Sequence, residues 1–250
     1  MWDKKQVRIL GVRVDDITSA ETLREMERLV AEGGVHQVVT VNPEFVMVAQ
    51  HDADFYVTIN EADLALPDGM GLLWASRVLG QPLRERVAGS DTLPLIARLA
   101  NLKGYRLYLL GAAPGVAEAA ANVLCKKNPQ LIIAGTYAGS PRPEEEDTIV
   151  ARIIQASPDF LFVAYGAPRQ DLWIRRNLAR LQVPVCMGIG GTLDFIAGVT
   201  KRAPVWMRRS GLEWLFRLIQ QPWRWRRMAR LPVFTYQVLL QRMRAGTRRK

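Results

Sequence analysis

The chain has 250 residues, 49% hydrophobic and 23% charged, which is enough length and apolar content to bury a core and argues against intrinsic disorder. Two cysteines (Cys125, Cys186) and two histidines (His36, His51) without CxxC or HxxxH spacing exclude a disulfide framework and a four-ligand zinc site; no apolar run follows Lys4 and Lys5 and no stretch reaches the roughly 18 apolar residues of a membrane span, so a reducing, cytoplasmic setting is expected. Of the net charge of +10, residues 201–250 hold +13, from 14 Lys or Arg against the single acid Glu213, which leaves −3 for the first 200 residues.

Val7 to Val14 reads as a strand or hairpin, and Thr18 to about Ala31 as a helix with Leu23, Met26, Leu29 and Val30 on one stripe. From residue 35 to 190, β-rich runs alternate with helical patterns. Strands are predicted over 35–41, 62–66, 105–110, 131–137, 159–165 and 183–189, and helices over 114–127, 144–156 and 168–181, each run ending in Gly, Pro, Asn or Asp. Alternation of this kind predicts an α/β fold: a Rossmann-like parallel sheet with helices on both faces. Residues 201–250 are predicted as a basic helical appendage to a 1–200 body. Pro222 and Pro232 should divide it into two or three short helices, with Leu212, Leu215, Phe216 and Ile219 on one apolar face. Its Trp206, Trp214, Trp223 and Trp225, interleaved with arginine, suit an interface with lipid headgroups or nucleic acid.

Ligands of open α/β sheets bind at the carboxyl ends of the strands, so the polar residues there are the candidates. The first strand runs into Thr40-Val41-Asn42-Pro43-Glu44, where Asn42 can cap a helix begun by Pro43. The second ends in Pro67-Asp68-Gly69; Asp68 is either a cap or a general base held by a constrained backbone. Arg86-Val87-Ala88-Gly89-Ser90-Asp91 offers Arg86 to a phosphate and Asp91 as a cap. Gly111 to Gly115 opens a helix whose N–H groups favour an anion. Tyr165-Gly166-Ala167-Pro168-Arg169-Gln170 and the turn at Gly190 and Gly191 complete the edge. Asp52 and Asp54 have the DxD spacing of a metal site but do not follow an apolar strand, and the two histidines read as structural. Neither GxGxxG nor a P-loop motif occurs, which excludes those nucleotide signatures.

These loops resemble the WecG/TagA/CpsF family of bacterial glycosyltransferases. The residues that carry the resemblance are Val39-Thr40-Val41-Asn42-Pro43-Glu44, Leu66-Pro67-Asp68-Gly69, Arg86 to Asp91, Gly166-Ala167-Pro168-Arg169-Gln170-Asp171-Leu172-Trp173 and Gly188 to Phe195. Lys201 to Pro204 and Gly211 to Leu218 extend it. Asp171 stands where the family usually has Glu, and Leu193 where an aromatic is usual. The resemblance implies a metal-independent, cofactor-free, inverting transferase. It would act at the inner membrane face and move a sugar from a UDP-sugar donor to a polyprenyl-diphosphate-linked N-acetylglucosamine in teichoic acid or surface polysaccharide synthesis. N-acetylmannosamine is the expected sugar, with glucose or the uronic acid of N-acetylmannosamine as alternatives.

It also implies a base at Asp68, a phosphate contact at Arg86 and pocket roles for Thr40, Asn42 and Gln170. Gly89, Asp91, Gly111, Tyr165, Gly166, Pro168, Gly190 and Gly191 are expected around the substrates, with Arg217, Arg224 and Arg227 reaching in from the appendage. An anionic membrane surface is the expected partner of the basic tail, and homo-oligomerisation is left open. A nucleic-acid-binding protein would explain the tail but not the polar sheet edge, so no nucleic acid partner is expected; a nicotinamide-dependent oxidoreductase lacks its fingerprint glycines.

Overall fold

The computed structural model describes residues 5–222 and 225–247, the side chains at 208, 209, 217, 226, 227 and 245–247 excepted. β1 (Gln6–Ile9) and β2 (Val12–Asp15) form an antiparallel hairpin, turned at Leu10 and Gly11, both with positive φ. Such a two-residue turn matches the twist of the strands it joins. Asp15, fully buried, accepts from Arg13 at 2.8 Å and from the Ala65 N–H at 2.8 Å, which ties the hairpin to the main sheet. α1 (Ser19–Glu32) starts at a capping box, Thr18 and Glu21 each satisfying the other's backbone N–H.

The main sheet has six parallel strands: β3 (His36–Val41), β4 (Leu64–Pro67), β5 (Arg106–Gly111), β6 (Ile132–Tyr137), β7 (Phe160–Ala164) and β8 (Val185–Gly188), in the order β4-β3-β8-β7-β5-β6. Every predicted strand is present. α2 (Pro43–Ala49), α3 (Ala53–Glu61), α4 (Met70–Val78), α5 (Gly89–Lys103), α6 (Val116–Lys127), α7 (Pro143–Ala156), α8 (Arg169–Leu181) and α9 (Thr192–Ile196) supply the crossovers and cover.

Alternation along the strands sends side chains to two apolar layers. Val38, Leu66, Leu109, Phe162 and Met187 face α1, α5, α6 and α9. On the other side Val39, Val41 and Ala65 pack under the hairpin, α2, α3 and α4, while Leu110, Leu161, Val163 and Cys186 pack under α7 and α8. Both faces are thus covered, as a parallel sheet requires.

Beyond residue 200 come α10 (Val205–Arg209), α11 (Glu213–Gln220), α12 (Trp225–Met228) and α13 (Arg230–Thr247). The expected break at Pro232 does not occur, and α13 runs 18 residues through it. Pro232 is the third residue of that helix, within the first turn, where the missing N–H has no intrahelical partner to lose. Nor does the expected apolar face hold throughout, since Ile219 is exposed. α13 lies against α2 and α4, and its Phe234 and Val238 are buried in the same apolar cluster as Phe45, Leu72 and the hairpin. Phe234→Ala therefore removes a core side chain and should lower stability by about 3–5 kcal/mol, read from denaturant unfolding; a loss below about 1 kcal/mol would mean that α13 is only loosely seated.

Candidate active site at the carboxyl ends of the strands

A cavity of about 500 Å³ opens at the carboxyl ends of β3 and β4. The sheet and its loops provide one wall through Asn42, Glu44, Asp68, Met70, Trp74, Arg86 and Ser90; the other comes from α11 to α13, with Glu213, Trp214, Leu218, Met228, Leu231 and Phe234.

Backbone pairing places the polar residues. β3 and β4 run in register with Val41 opposite Pro67, so Asn42 and Asp68 leave the sheet side by side. The Asp68 N–H donates to the Val41 carbonyl at 2.7 Å, and the Pro67 carbonyl accepts from Val87 N–H at 2.8 Å, which brings the loop carrying Arg86 to the same point. The Asn42 side chain accepts from Phe45 N–H at 3.0 Å and caps α2, whose first residue is Pro43. A side chain at Gly71 would come within 2.6 Å of the Pro43 ring, so α4 approaches α2 this closely only with glycine there. Gly69, with φ of +116°, occupies the N-cap position of α4. Asp68 is therefore not the capping residue, and its half-buried carboxyl is part of the cavity wall.

Arg86 donates to Asp91 at 2.9 Å and to Glu213 of α11 at 3.2 Å. Asp91, expected as a cap, lies instead in the first turn of α5 after the N-cap Ala88 and also binds Arg202 at 2.8 Å. Arg202 bonds Ser90 Oγ at 2.8 Å as well.

The other expected residues sit along the same edge but do not line this cavity. Thr40 is buried, with its hydroxyl 3.4 Å from the Gly188 carbonyl and its methyl against Gly89. Gln170 is buried beneath two loops, and its carbonyl oxygen accepts from Gly166 N–H at 3.1 Å and Gly190 N–H at 2.9 Å. Its position therefore fixes the turns after β7 and β8 relative to each other. Gly111 packs so tightly on Ala164 that a Cβ would lie 2.8 Å from that carbonyl carbon. Tyr165 turns away into the layer under α7 and α8, edge-on to Trp173, and burial raises its hydroxyl pKa. Pro168 follows a cis peptide at the start of α8, and Gly191 precedes α9. Arg224 and the side chains of Arg217 and Arg227 lie outside the described residues.

Asp52 caps α3, accepting from Phe55 N–H at 2.9 Å, which accounts for one half of the DxD spacing. Among the described residues no group of three or more His, Cys, Asp or Glu side chains could hold a metal ion. His36 bonds Asp63 and the Gly33 carbonyl at the start of β3, a structural role. Sequence reasoning gave no role to Glu213 or Arg202; the signal for Glu213 was its standing alone as an acid in a strongly cationic segment.

A carboxylate, a guanidinium and an apolar wall in one cavity can take a proton from a hydroxyl, contact a phosphate and shelter a hydrocarbon. Sequence comparison places the chain among known proteins. The sequence of the glycosyl transferase WecG/TagA/CpsF family matches residues 7–248. An N-acetylglucosaminyldiphosphoundecaprenol N-acetyl-beta-D-mannosaminyltransferase of Bacillus subtilis (strain 168) is 37% identical over 203 residues, covering 81% of this chain and 78% of the relative. A protein of the same name from Staphylococcus aureus (strain MW2) is 33% identical over 238 residues, 93% of this chain and 92% of the relative.

Asp171, next to Gln170, is fully buried against Gly188, and neither carboxyl oxygen has a hydrogen-bond partner in good geometry among the described residues. Burial raises its pKa from 3.8 to about 7, offset in part by the nearby Gln170 amide. Between those values the unfolded chain ionises while the folded side chain stays neutral. Stability from this group is thus intact below about pH 4 and is lost as pH rises to about 7. Asp171→Asn should be more stable than the wild type at pH 8 by up to a few kcal/mol, the difference vanishing towards pH 4 in urea unfolding at a series of pH values.

Proposed function

Because the chain belongs to the WecG/TagA/CpsF family of glycosyl transferases, we propose that it transfers N-acetylmannosamine from a UDP-sugar to the N-acetylglucosamine of a polyprenyl-diphosphate-linked acceptor, in teichoic acid or surface polysaccharide synthesis. The observation that carries this reading is Asp68, pinned by backbone bonds at the floor of a cavity that also holds Arg86 and an apolar wall. The names of the Bacillus and Staphylococcus relatives favour N-acetylmannosamine over glucose or a uronic acid.

In this reading the acceptor hydroxyl attacks the anomeric carbon as Asp68 takes its proton, and the bond from that carbon to UDP breaks with its electron pair on the phosphate oxygen. A single displacement of this kind inverts the anomeric centre. Arg86 meets the charge that develops on the leaving diphosphate, where directed donors contribute most. Asn42 and Glu44 border the cavity beside the base. Gln170, Thr40 and the glycine turns hold the loops of the sheet edge, and Arg217, Arg224 and Arg227 are proposed to reach the substrates from the appendage.

The acceptor's lipid stays in a bilayer, so the enzyme must meet a surface. No helix among the described residues is long and apolar enough to cross a membrane. The segment from 201 to 250 carries +13, and Trp206 and Trp225 are about 60% exposed. Cationic residues near an anionic surface contribute roughly 1 kcal/mol each, and interfacial Trp adds to this. These features support peripheral binding at the inner face of the cell membrane.

Asp68→Asn keeps the shape and loses the basicity; UDP release from UDP-N-acetylmannosamine with a prenyl-diphosphate-N-acetylglucosamine analogue should fall about 10²- to 10⁴-fold. Wild-type turnover in that variant would remove Asp68 from the chemistry. Chelators should leave the rate unchanged, since Asp52 is occupied as a cap and Arg86 supplies the positive charge; loss in EDTA restored by Mg²⁺ would contradict this. The full chain should sediment with anionic but not zwitterionic liposomes, more weakly as salt rises because screening sets in over about 8–10 Å. Trp206→Ala with Trp225→Ala should weaken that binding further.

A further inference from the structure

The loop between α4 and α5 contains Arg86, and its guanidinium is held from two sides by carboxylates of different elements. Asp91 in α5 binds one end at 2.9 Å and Glu213 in α11 the other at 3.2 Å, while Arg202 closes the far side of Asp91 at 2.8 Å. Arg86 and Glu213 are both largely buried, at 17% and 16% side-chain exposure. Among the described residues the network joins two arginines and two carboxylates. Arg86 meets an anion through the N–H groups that these contacts leave, and a hydrogen bond depends steeply on direction. One anchor would leave the planar fork free to swivel about that contact; two fix its plane.

Glu213 is the single acid of a fifty-residue segment holding 14 cations. A purely cationic appendage would repel Arg86, and the one carboxylate sits where the two meet. We propose that Glu213 is a positioning residue that docks α11 on the body and sets the orientation of Arg86 towards the leaving diphosphate. The inference rests on the proposed transfer from a UDP-sugar.

The test is UDP binding by calorimetry, with turnover measured in parallel, in the full chain. Glu213→Ala should weaken UDP binding and lower kcat by about tenfold each, with a thermal midpoint close to the wild type. Glu213→Gln, which keeps an acceptor oxygen at the same reach, should recover most of both losses. In the Arg86→Lys background, Glu213→Ala should cost nothing further, because its effect passes through the guanidinium. A merely structural contact would lower the midpoint and act independently of residue 86. Changes below about twofold in Glu213→Ala, a Gln variant as weak as the Ala variant, or losses that multiply in the double variant would each overturn the proposal. If Glu213→Ala does not fold, Glu213→Asp, with its oxygens drawn back by one methylene, replaces it with the same expectation. Wild-type protein that binds UDP yet transfers nothing would count against the reaction and leave Glu213 to be judged on binding; wild-type protein that binds no UDP would overturn both.

Discussion

Two backbone hydrogen bonds at the ends of β3 and β4 hold the site together. Asp68 N–H to the Val41 carbonyl and Val87 N–H to the Pro67 carbonyl clip three chain segments at one point. Asn42, Asp68 and Arg86 belong to those segments, which are separated in sequence by the α2–α3 crossover and by α4. Because the bonds involve main chain alone, neither depends on the identity of a particular side chain, except where backbone must come close. Gly71 against Pro43 is such a place, and Gly111 against Ala164 is another. The rigid frame is the parallel sheet, buried on both faces, and the chemistry is carried by what leaves its edge.

Much of this was legible in the residues. The six strands were read because strands buried on both faces are near-continuous apolar runs, and the candidates because each run ended in a polar turn. Asn42 as a cap followed from local spacing alone. What could not be read was tertiary. Gln170 reads as a pocket residue from its place after β7, and only the fold shows its carbonyl oxygen bridging Gly166 and Gly190, twenty-four residues apart. Asp91 looked like a cap until Arg86 and Arg202 claimed both its oxygens. Pro232 looked like a break because its distance from the helix start, which decides whether a proline is tolerated, is not marked by any residue type.

Charge is handled differently in residues 1–200 and in residues 201–250. In the body, buried acids are satisfied locally: Asp15 by Arg13 and the Ala65 N–H, Asp16 by Arg84. Asp171 differs, a carboxyl whose pKa burial under the β8 turn raises to about 7. Residues 201–250 are instead strongly cationic, and among the described residues Arg202 to Asp91 and Glu213 to Arg86 tie them to the body by ion pairs. The division suits the proposed binding at a negative membrane surface, which would draw on the cationic segment while the body keeps its own charges paired.

Phe234 has two duties: it is 2% exposed in the cluster under the hairpin, and one edge of it borders the cavity. Core side chains tolerate few changes in volume. The part of the cavity nearest the body is consequently frozen by the requirement to fold, and any drift in the size or shape of the molecule accepted there has to be taken up on the outer wall. Trp214, 40% exposed, and the half-exposed Leu218 are placed to vary without that penalty. Divergence of specificity within this architecture should accumulate in α11 while α13 stays nearly constant.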